Sequence, residues 1–181
     1  MNTALLIIDI QNDYFPGGAM ELVGADAAAE RAASVLAAFR ARRLPVVHVQ
    51  HLSVRSGATF FRPGTPGAEI HPLVAPLAGE TVVQKHYPNA FRETGLLEHL
   101  RGKGIERLVI MGMMTHMCID TSTRAAADSG FECVLVHDAC ATRNLSYDGY
   151  EVPAAQVQTA FVAALNGTFA KVQSAQLAAG V

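Results

Sequence analysis

Three side chains that can take part in covalent chemistry follow predicted β-strands in this sequence. Asp9 ends the apolar run ALLIID, Lys85 follows TVVQ, and Cys118 comes shortly after the run ERLVIM. The carboxyl ends of parallel strands share one edge of a sheet, and ligands bind at that edge. A carboxylate, an amine and a thiol there would supply a base, an electrostatic partner and a nucleophile. Each also has a structural explanation: a turn-capping aspartate, a solvent-facing lysine and an inert buried cysteine.

Cys118 opens the predicted helix CIDTSTRAAAD. A thiol at a helix N-terminus lies near unpaired N–H groups and the positive end of the helix dipole, so we expect its pKa to be lowered. The same N–H groups could stabilise an oxyanion. Cys133 lies within a predicted strand and is expected to be inert, whereas Cys140 follows that strand without a helix start. Cys118 is therefore the predicted nucleophile.

Apolar, β-branched runs alternate with helical patterns along the chain. Strands are predicted at residues 4–9, 45–50, 81–84, 106–111, 132–136 and 169–173. Helices are predicted after a cap at Asp26, over 94–101, over 118–128, and with Pro153 in the first turn. Continuous apolar strands suit a parallel sheet covered on both faces. The pattern predicts one α/β domain over residues 1–181, a three-layer, doubly wound, Rossmann-like fold with about six parallel strands.

The segment from residue 53 to residue 76 interrupts this alternation. It contains Pro63, Gly64, Pro66 and Gly67, and it is longer than a compact fold usually tolerates without a function. We therefore expect this long loop to form a wall or lid of the active site.

The composition excludes several kinds of partner. The chain has 14 Lys and Arg residues against 16 Asp and Glu, a net charge of −2 and no basic block, so nucleic acid is not an expected partner. The first apolar run stops at Asp9, which makes it too short for a signal peptide or a membrane span. The three cysteines lack metal-ligand spacing and are expected to be free thiols of a cytoplasmic protein.

Three motifs resemble those of the isochorismatase-like cysteine hydrolases, which include nicotinamidases and related amidases. They are LLIIDIQNDY near the start, VVQKHYPNAF in the middle, and VIMGMMTHMCIDTSTRAAADSGF followed by VLVHDACATR. The resemblance spans nearly the whole chain. It implies a catalytic triad with Asp9 as base, Lys85 as its lysine and Cys118 as nucleophile. It also implies a cis peptide at Met113–Met114, which would direct the N–H of Met114 and that of Cys118 into an oxyanion hole.

The activity implied by this resemblance is a two-step hydrolysis of a small-molecule amide. Thiolate attack would expel ammonia or an amine and leave a thioester, which water activated by Asp9 would then cleave. Two other functions stay open, namely isochorismatase-type cleavage of a vinyl ether and metabolite binding by an inactive relative. A redox role would need Cys140 as the resolving partner of Cys118. Related proteins are commonly dimers or tetramers, so a homo-oligomer is expected.

The sequence departs from the nicotinamidases at their metal site. Those enzymes typically carry an Asp-x-His segment after the second strand, where this chain has HVQHLSVRSG without an aspartate. His51 and His71 alone are weak ligand candidates. We therefore predict no catalytic metal and no cofactor, and we do not expect nicotinamide to be the substrate.

Aromatic and polar residues near the predicted strand ends form the candidate substrate pocket. Aromatic side chains from three segments could enclose an apolar or planar substrate, although core packing would explain each of them equally well. Polar contacts could come from a glutamine and a histidine. The predicted substrate-binding residues are Gln11, Phe15, Phe61, Tyr87, Phe91 and His116.

Overall fold

The structure is a computed structural model and describes residues 1–180. Its strands are β1 (Thr3–Ile8), β2 (Val46–His51), β3 (Thr81–Lys85), β4 (Arg107–Met113), β5 (Glu132–Ala141), β6 (Leu145–Tyr147), β7 (Tyr150–Val152) and β8 (Lys171–Gln173). Six of them form a parallel sheet in the order β3-β2-β1-β4-β5-β8, and β6 and β7 form an antiparallel hairpin. The chain runs outward from β1 in one direction to β3 and in the other from β4 to β8. This confirms the predicted doubly wound α/β fold.

Helices cover both faces of the sheet. They are α1 (Ala25–Ala41), α2 (Leu96–Gly102), α3 (Asp120–Asp128), α4 (Ala154–Leu165) and α5 (Ala175–Ala178). Helices α1 and α5 pack on one face, and α2, α3 and α4 pack on the other. The central strand β1 serves both cores, because Leu5 and Ile7 point to the first face while Leu6 and Ile8 point to the second. Burying each of these side chains stabilises the fold by roughly 1.5–3 kcal/mol.

Two helix starts differ from the predictions. Gly24, in the left-handed conformation with a φ of 75°, is the N-cap of α1, and Asp26 lies instead in the first turn. The negative charge of Asp26 in this turn still interacts favourably with the positive end of the helix dipole. The helix predicted from Cys118 begins instead as a π-helical turn, Thr115–Ile119, which leads into α3. Cys118 therefore does not stand at the N-terminus of an α-helix.

Strands β4 and β5 are irregular near their carboxyl ends. The register between them shifts between Ile110 and Gly112. Gly112 has a φ of 134°, and a Cβ atom at this position would overlap the carbonyl oxygen of Ile8. Strand β5 also continues beyond residue 136, so Asp138 and Cys140 lie within the strand rather than after it. Glycine thus permits the close approach of β4 to β1 beside the carboxyl ends of the strands.

The long loop between β2 and β3 is attached to the chain segment that follows β1. It contains two short 3-10 turns, Pro66–Ala68 and Pro72–Val74. The carboxylate Oδ2 of Asp13 accepts a hydrogen bond from the Phe61 N–H at 2.6 Å. The loop therefore lies beside the carboxyl end of β1, where the sequence places Asp9.

The β6–β7 hairpin has no counterpart among the predicted strands. Each of its strands has three residues, and Tyr147 and Tyr150 are largely exposed, so no buried apolar run marks it in the sequence. Within residues 1–180, none of the helices has both the length and the apolar character that crossing a bilayer requires.

Candidate active site

Four neighbouring strands end at the candidate site. Strands β3, β2, β1 and β4 are adjacent in the sheet. Lys85 is the last residue of β3, His51 is the last residue of β2, Asp9 follows β1, and Cys118 lies in the π-helical turn after β4. Asp9 has a φ of 53°, so the chain turns out of the strand at this residue. The structure thus brings together the three residues that the sequence singles out for chemistry.

The ammonium group of Lys85 lies at the centre of this site. Its Nζ is 2.7 Å from Asp9 Oδ2, 3.3 Å from Cys118 Sγ and 2.8 Å from His51 Nδ1. It also donates to the carbonyl oxygen of Tyr87 at 3.1 Å. Because an ammonium can only donate, His51 Nδ1 accepts, and the imidazole is neutral with its proton on Nε2. Lys85 and Asp9 are fully buried, so water screens these contacts weakly.

Burial and charge act in opposite directions on Asp9 and Lys85. Burial raises the pKa of Asp9 above its ordinary value, and the contact with Lys85 offsets only part of that effect. Burial alone would lower the pKa of Lys85, but the negative charge of Asp9 and the hydrogen bonds to Asp9 and Cys118 prevail and raise it. Lys85 therefore stays an ammonium, and Asp9 is a more basic carboxylate than an exposed one. Its Oδ1 has no hydrogen-bond partner within residues 1–180.

The predicted lowering of the Cys118 pKa is wrong. Burial raises the pKa of this thiol, the Asp9 carboxylate raises it further, and Lys85 opposes both effects only in part. The α-helix whose dipole was expected to favour the thiolate begins two residues later, at Asp120. The thiol is therefore protonated at neutral pH and needs a base before it can act as a nucleophile.

The other two cysteines are buried free thiols. Cys133 lies in β5 as predicted, and burial raises its pKa to about 12. The Cys140 thiol donates to the Val136 carbonyl oxygen at 3.3 Å, and burial raises its pKa to about 12 as well. Cys118 is distinguished from both by its contact with an ammonium and its nearby carboxylate.

The site contains metal-binding residue types, but a cation already occupies their centre. Donor atoms of Asp9, His51 and Cys118 lie within 4.8 Å of one another, a spacing compatible with a shared metal ion. Lys85 Nζ, however, lies within 3.3 Å of an atom of each of the three. A divalent ion there would have to displace the Lys85 ammonium against strong charge repulsion. The Asp9, His51 and Cys118 donors therefore do not fit a metal ion while Lys85 is an ammonium.

Gln11 was predicted to contact the substrate, but its side chain is used to join two parts of the protein. Its Nε2 donates to the carbonyl oxygens of His51 at 2.9 Å and Ala68 at 2.7 Å. Its Oε1 accepts from the His51 N–H at 2.7 Å. Both amide hydrogens are therefore occupied, and Gln11 holds the end of β2 against the long loop instead of presenting a free donor.

Phe15 and Phe61 belong to the packing beneath the site. Phe15 is buried and stacks on His71, with ring centroids 3.8 Å apart. Phe61 is fully buried and packs edge-on against Tyr14, with centroids 4.6 Å apart. The prediction that these two rings contact the substrate directly is not supported, because their surfaces are covered by protein. His71, the second weak ligand candidate, uses its Nδ1 to accept from the Leu73 N–H.

Tyr87 and Phe91 follow Lys85 in the chain but lie in different surroundings. The Tyr87 carbonyl accepts from Lys85, and its half-buried ring lies 3.7 Å from the guanidinium of Arg92. The Phe91 ring lies against Phe131, which precedes β5 at the opposite end of the sheet. The position of the Phe91 ring gives no support to a contact with the substrate, whereas Tyr87 lies next to the site.

His116 and Met114 lie on either side of the start of the π-helical turn. His116 Nδ1 is 2.6 Å from Thr142 Oγ1, a bond that ties the turn to the end of β5. The peptide bond Met113–Met114 is cis, and the Met114 carbonyl accepts from the N–H groups of Met117 and Ile119. Substrate contact by His116 and an oxyanion hole formed by the Met114 and Cys118 N–H groups stay predictions.

A cavity of about 330 Å³ opens beside His51, and Lys85 and Cys118 themselves are not among its lining residues. Its inner wall includes His51, which contacts Lys85, and Met117, the chain neighbour of Cys118. Its outer wall is formed by the first part of the long loop, whose role as a wall of the active site stays a prediction. The residues that line it are His51, Ser53, Val54, Arg55, Ser56, Gly57, Ala58, Thr59, Phe60, His86, Pro88 and Met117. A cavity of this size suits a small molecule.

None of the residues that line this cavity was among the predicted catalytic or substrate-binding residues. His86 directly follows Lys85, and Met117 directly precedes Cys118, so adjacency to a reactive residue is the signal that could have identified them. Arg55 lies in the long loop, and only that loop's predicted role as a wall pointed to it. Loop residues carry no periodicity that would show which side chains face a cavity.

Comparison with known proteins identifies the family of this chain. The model of the Isochorismatase domain matches residues 3–176. YddQ, an uncharacterized isochorismatase family protein of Bacillus subtilis, is 50% identical over 176 residues, which cover 97% of this chain and 98% of that protein. A maleamate amidohydrolase of Pseudomonas putida is 34% identical over 155 residues, which cover 78% of this chain and 73% of that enzyme.

The fold comparison agrees with the sequence comparison. A crystal structure from Oleispira antarctica, assigned to the isochorismatase hydrolases, superimposes with a TM-score of 0.95 at 52% identity. The match covers 99% of this chain and 97% of that one. On the domain match, the sequence identity and the shared six-stranded sheet, the chain belongs to the isochorismatase family of hydrolases.

Proposed function

We propose that this chain is a cysteine hydrolase that cleaves a carbon–nitrogen bond of a small amide. The observation that carries the proposal is the buried contact of Lys85 with both Asp9 and Cys118. A thiol, a basic carboxylate and a fixed ammonium in one shielded site supply a nucleophile, a base and a positive charge. The amidohydrolase among the relatives supports an amide as the substrate.

The first half of the reaction forms a thioester. Asp9, which has a carboxylate oxygen within 4.8 Å of Cys118 Sγ, takes the proton of the thiol as Sγ attacks the amide carbonyl carbon. The raised pKa of Asp9 makes it a stronger base, which favours this transfer. Lys85, 3.3 Å from Sγ, stabilises the developing thiolate. The N–H groups of Met114 and Cys118 are assigned to the oxyanion.

Collapse of the tetrahedral intermediate breaks the C–N bond. Protonated Asp9 returns its proton to the leaving nitrogen, which departs as ammonia or an amine. The ionised carboxylate then takes a proton from water as the water oxygen attacks the thioester carbon. When the C–S bond breaks, the sulfur recovers that proton from Asp9 and the carboxylic acid is released. Both side chains end in the protonation states in which they began.

Two other functions give different expectations for the same residues. Hydrolysis of a vinyl ether has no need of the Cys118 thiol, and an inactive relative would bind a metabolite without turnover. Removing a charged group from water costs roughly several kcal/mol per ion. A buried ammonium and a buried carboxylate beside a thiol would therefore destabilise the fold without benefit if the thiol did not react. This cost favours a covalent role for Cys118 over either alternative.

The test uses a panel of small amides with release of ammonia as the readout. We expect Cys118→Ala to abolish turnover and Cys133→Ala, a matched loss of a buried thiol within β5, to retain it. Acid quenching during turnover of the wild-type protein, followed by peptide mass spectrometry, is expected to find the acyl group on Cys118. Full turnover by Cys118→Ala contradicts the mechanism, and turnover of vinyl ethers instead of amides contradicts the substrate class.

A further inference from the structure

The cavity beside the candidate active site carries positive charge without an acidic counterpart. Arg55 and His86 are among its lining residues, and none of the described residues that line it is an Asp or a Glu. Across residues 1–180, Arg55 forms no ion pair with a carboxylate. The buried ammonium of Lys85 lies directly behind His51 on the inner wall. A guanidinium that lines a concave site without a partner is available to a ligand.

The positive charge around the cavity affects the pKa of a residue on its inner wall. The pKa of His51 is lowered to about 3, first by burial and then by the positive charges of Lys85, His86 and Arg55. His86 and Arg55 are therefore near enough to act on the space beside His51. Because His51 itself is neutral, it neither adds to nor offsets the positive charge.

His86 has a fixed ring and an unused nitrogen. Its Nδ1 lies 2.8 Å from the Leu52 carbonyl oxygen, and a carbonyl can only accept, so Nδ1 carries the proton of this bond. This contact orients the imidazole and makes Nε2 of the neutral ring an acceptor, so the donors that an anion needs come from Arg55. The guanidinium of Arg55 offers several donors in one plane, a geometry that matches a carboxylate.

The cavity also has an apolar part. Phe60, Pro88 and Met117 provide apolar surface, and Met117 directly precedes Cys118. A ligand in the cavity would therefore meet both this apolar surface and the guanidinium of Arg55. Such a surface fits a short hydrocarbon spacer with a charged group at one end.

We propose that the substrate is a small amide whose far end carries a carboxylate or a comparable anion, bound by Arg55. The amide carbonyl lies at Cys118, the spacer contacts the apolar surface, and the anion lies at Arg55. The inference rests on the proposed function, because it takes Cys118 as the reacting group. Arg55 is the residue that determines the preference for charge.

The test measures binding separately from turnover. Full-length Cys118→Ala protein, which cannot form a thioester, is titrated by calorimetry with three amides of matched length: succinamate (anionic), succinamide (neutral) and 3-aminopropanamide (cationic). We expect succinamate to bind about tenfold or more tightly than the other two, as charge-assisted hydrogen bonds would give. Adding Arg55→Gln is expected to remove that preference.

Arg62→Gln is the matched control. Arg62 is an exposed arginine of the same loop that does not line this cavity, so its replacement is expected to retain the preference for succinamate. Equal binding of the three amides, no measurable binding of any, preference for the cationic amide, or a preference that survives Arg55→Gln each overturns the inference. Turnover by the wild-type protein separates the two proposals: if succinamate binds selectively but no amide is hydrolysed, the proposed function fails while the anion site stands.

Discussion

Lys85 Nζ donates to His51 Nδ1 across 2.8 Å, so the lysine that ends β3 is held by a neutral imidazole that ends β2. The two residues are also partners in the strand register. Gln11 fixes the backbone of His51 on both sides, through its N–H and its carbonyl oxygen. The sequence presents His51 as a weak metal ligand, whereas in the structure it orients an ammonium without adding charge. His51 is thus a positioning residue for Lys85.

The neutral state of His51 predicts a particular pH profile. Its pKa of about 3 leaves no His51 titration in the neutral range. Asp9 must be ionised to act as base, so kcat/KM should fall as pH falls through the Asp9 pKa, which lies above the ordinary 3.8. We expect His51→Gln to lower kcat, by about 10-fold to 100-fold, while the acid limb stays in place. Loss of that limb in His51→Gln would show that the histidine, not Asp9, is the titrating base.

Replacement of Asp9 should separate turnover from thiol reactivity. In Asp9→Asn we expect kcat to fall by about 10²- to 10⁴-fold, because the base is lost. The same change removes a negative charge that raises the Cys118 pKa and leaves Lys85 to stabilise the thiolate. Cys118 should therefore react faster with iodoacetamide at pH values just above neutral, as measured by peptide mass spectrometry. Asp26→Asn, at an exposed position in the first turn of α1, should change neither rate. Slower labelling in Asp9→Asn would contradict this account of the site.

The parts of the fold that the sequence predicts are those with a strong one-dimensional pattern. The continuous apolar run of β1 predicts a strand that is buried on both faces. Asp9 and Lys85 follow predicted parallel strands, and they are therefore expected at the same edge of the sheet, where the carboxyl ends of the strands meet. Phe91 lies only six residues beyond Lys85, yet its ring packs at the opposite end of the sheet. The direction of a turn after a strand is set by tertiary contacts, and no spacing in the sequence encodes it.

The electrostatics of Cys118 show a different limit of sequence reasoning. The nearby helix start suggests a lowered pKa through the dipole, an effect that is worth about 1 kcal/mol or less at an exposed helix end. Burial shifts the pKa in the opposite direction and is the larger effect. How deeply a thiol is buried depends on elements that come together only in the fold, such as β1, β3 and the long loop. The residue was therefore identifiable from sequence, but its protonation state was not.

The contact between Glu80 and Arg40 is expected to stabilise the fold at neutral pH and to lose this effect in acid. Its carboxylate accepts from Arg40 Nε and Nη2, both at 2.7 Å, and these bonds lower its pKa from 4.5 to about 2 despite partial burial. A carboxyl group with a lowered folded-state pKa stabilises the fold above the unfolded value and loses that effect as pH falls toward the folded value. We expect the melting temperature to decline from about pH 4.5 to pH 2, and Glu80→Gln to lower it at neutral pH and flatten that decline. Glu93→Gln, which breaks an exposed pair with Arg92, should leave both unchanged.

A side chain at position 112 is expected to lower both stability and activity. A Cβ atom at this position would overlap the carbonyl oxygen of Ile8, the residue before Asp9, and the φ of 134° is itself unfavourable for an L-residue. We expect Gly112→Ala to lower the free energy of unfolding by about 2–4 kcal/mol, measured by urea denaturation, and to reduce kcat in the folded fraction by displacing Asp9. Gly102→Ala, with no heavy atom within 4 Å of the added Cβ, should change stability by less than about 1 kcal/mol and leave kcat intact. If Gly112→Ala were as stable and active as Gly102→Ala, then the close approach of β4 to β1 would not be what positions the carboxylate.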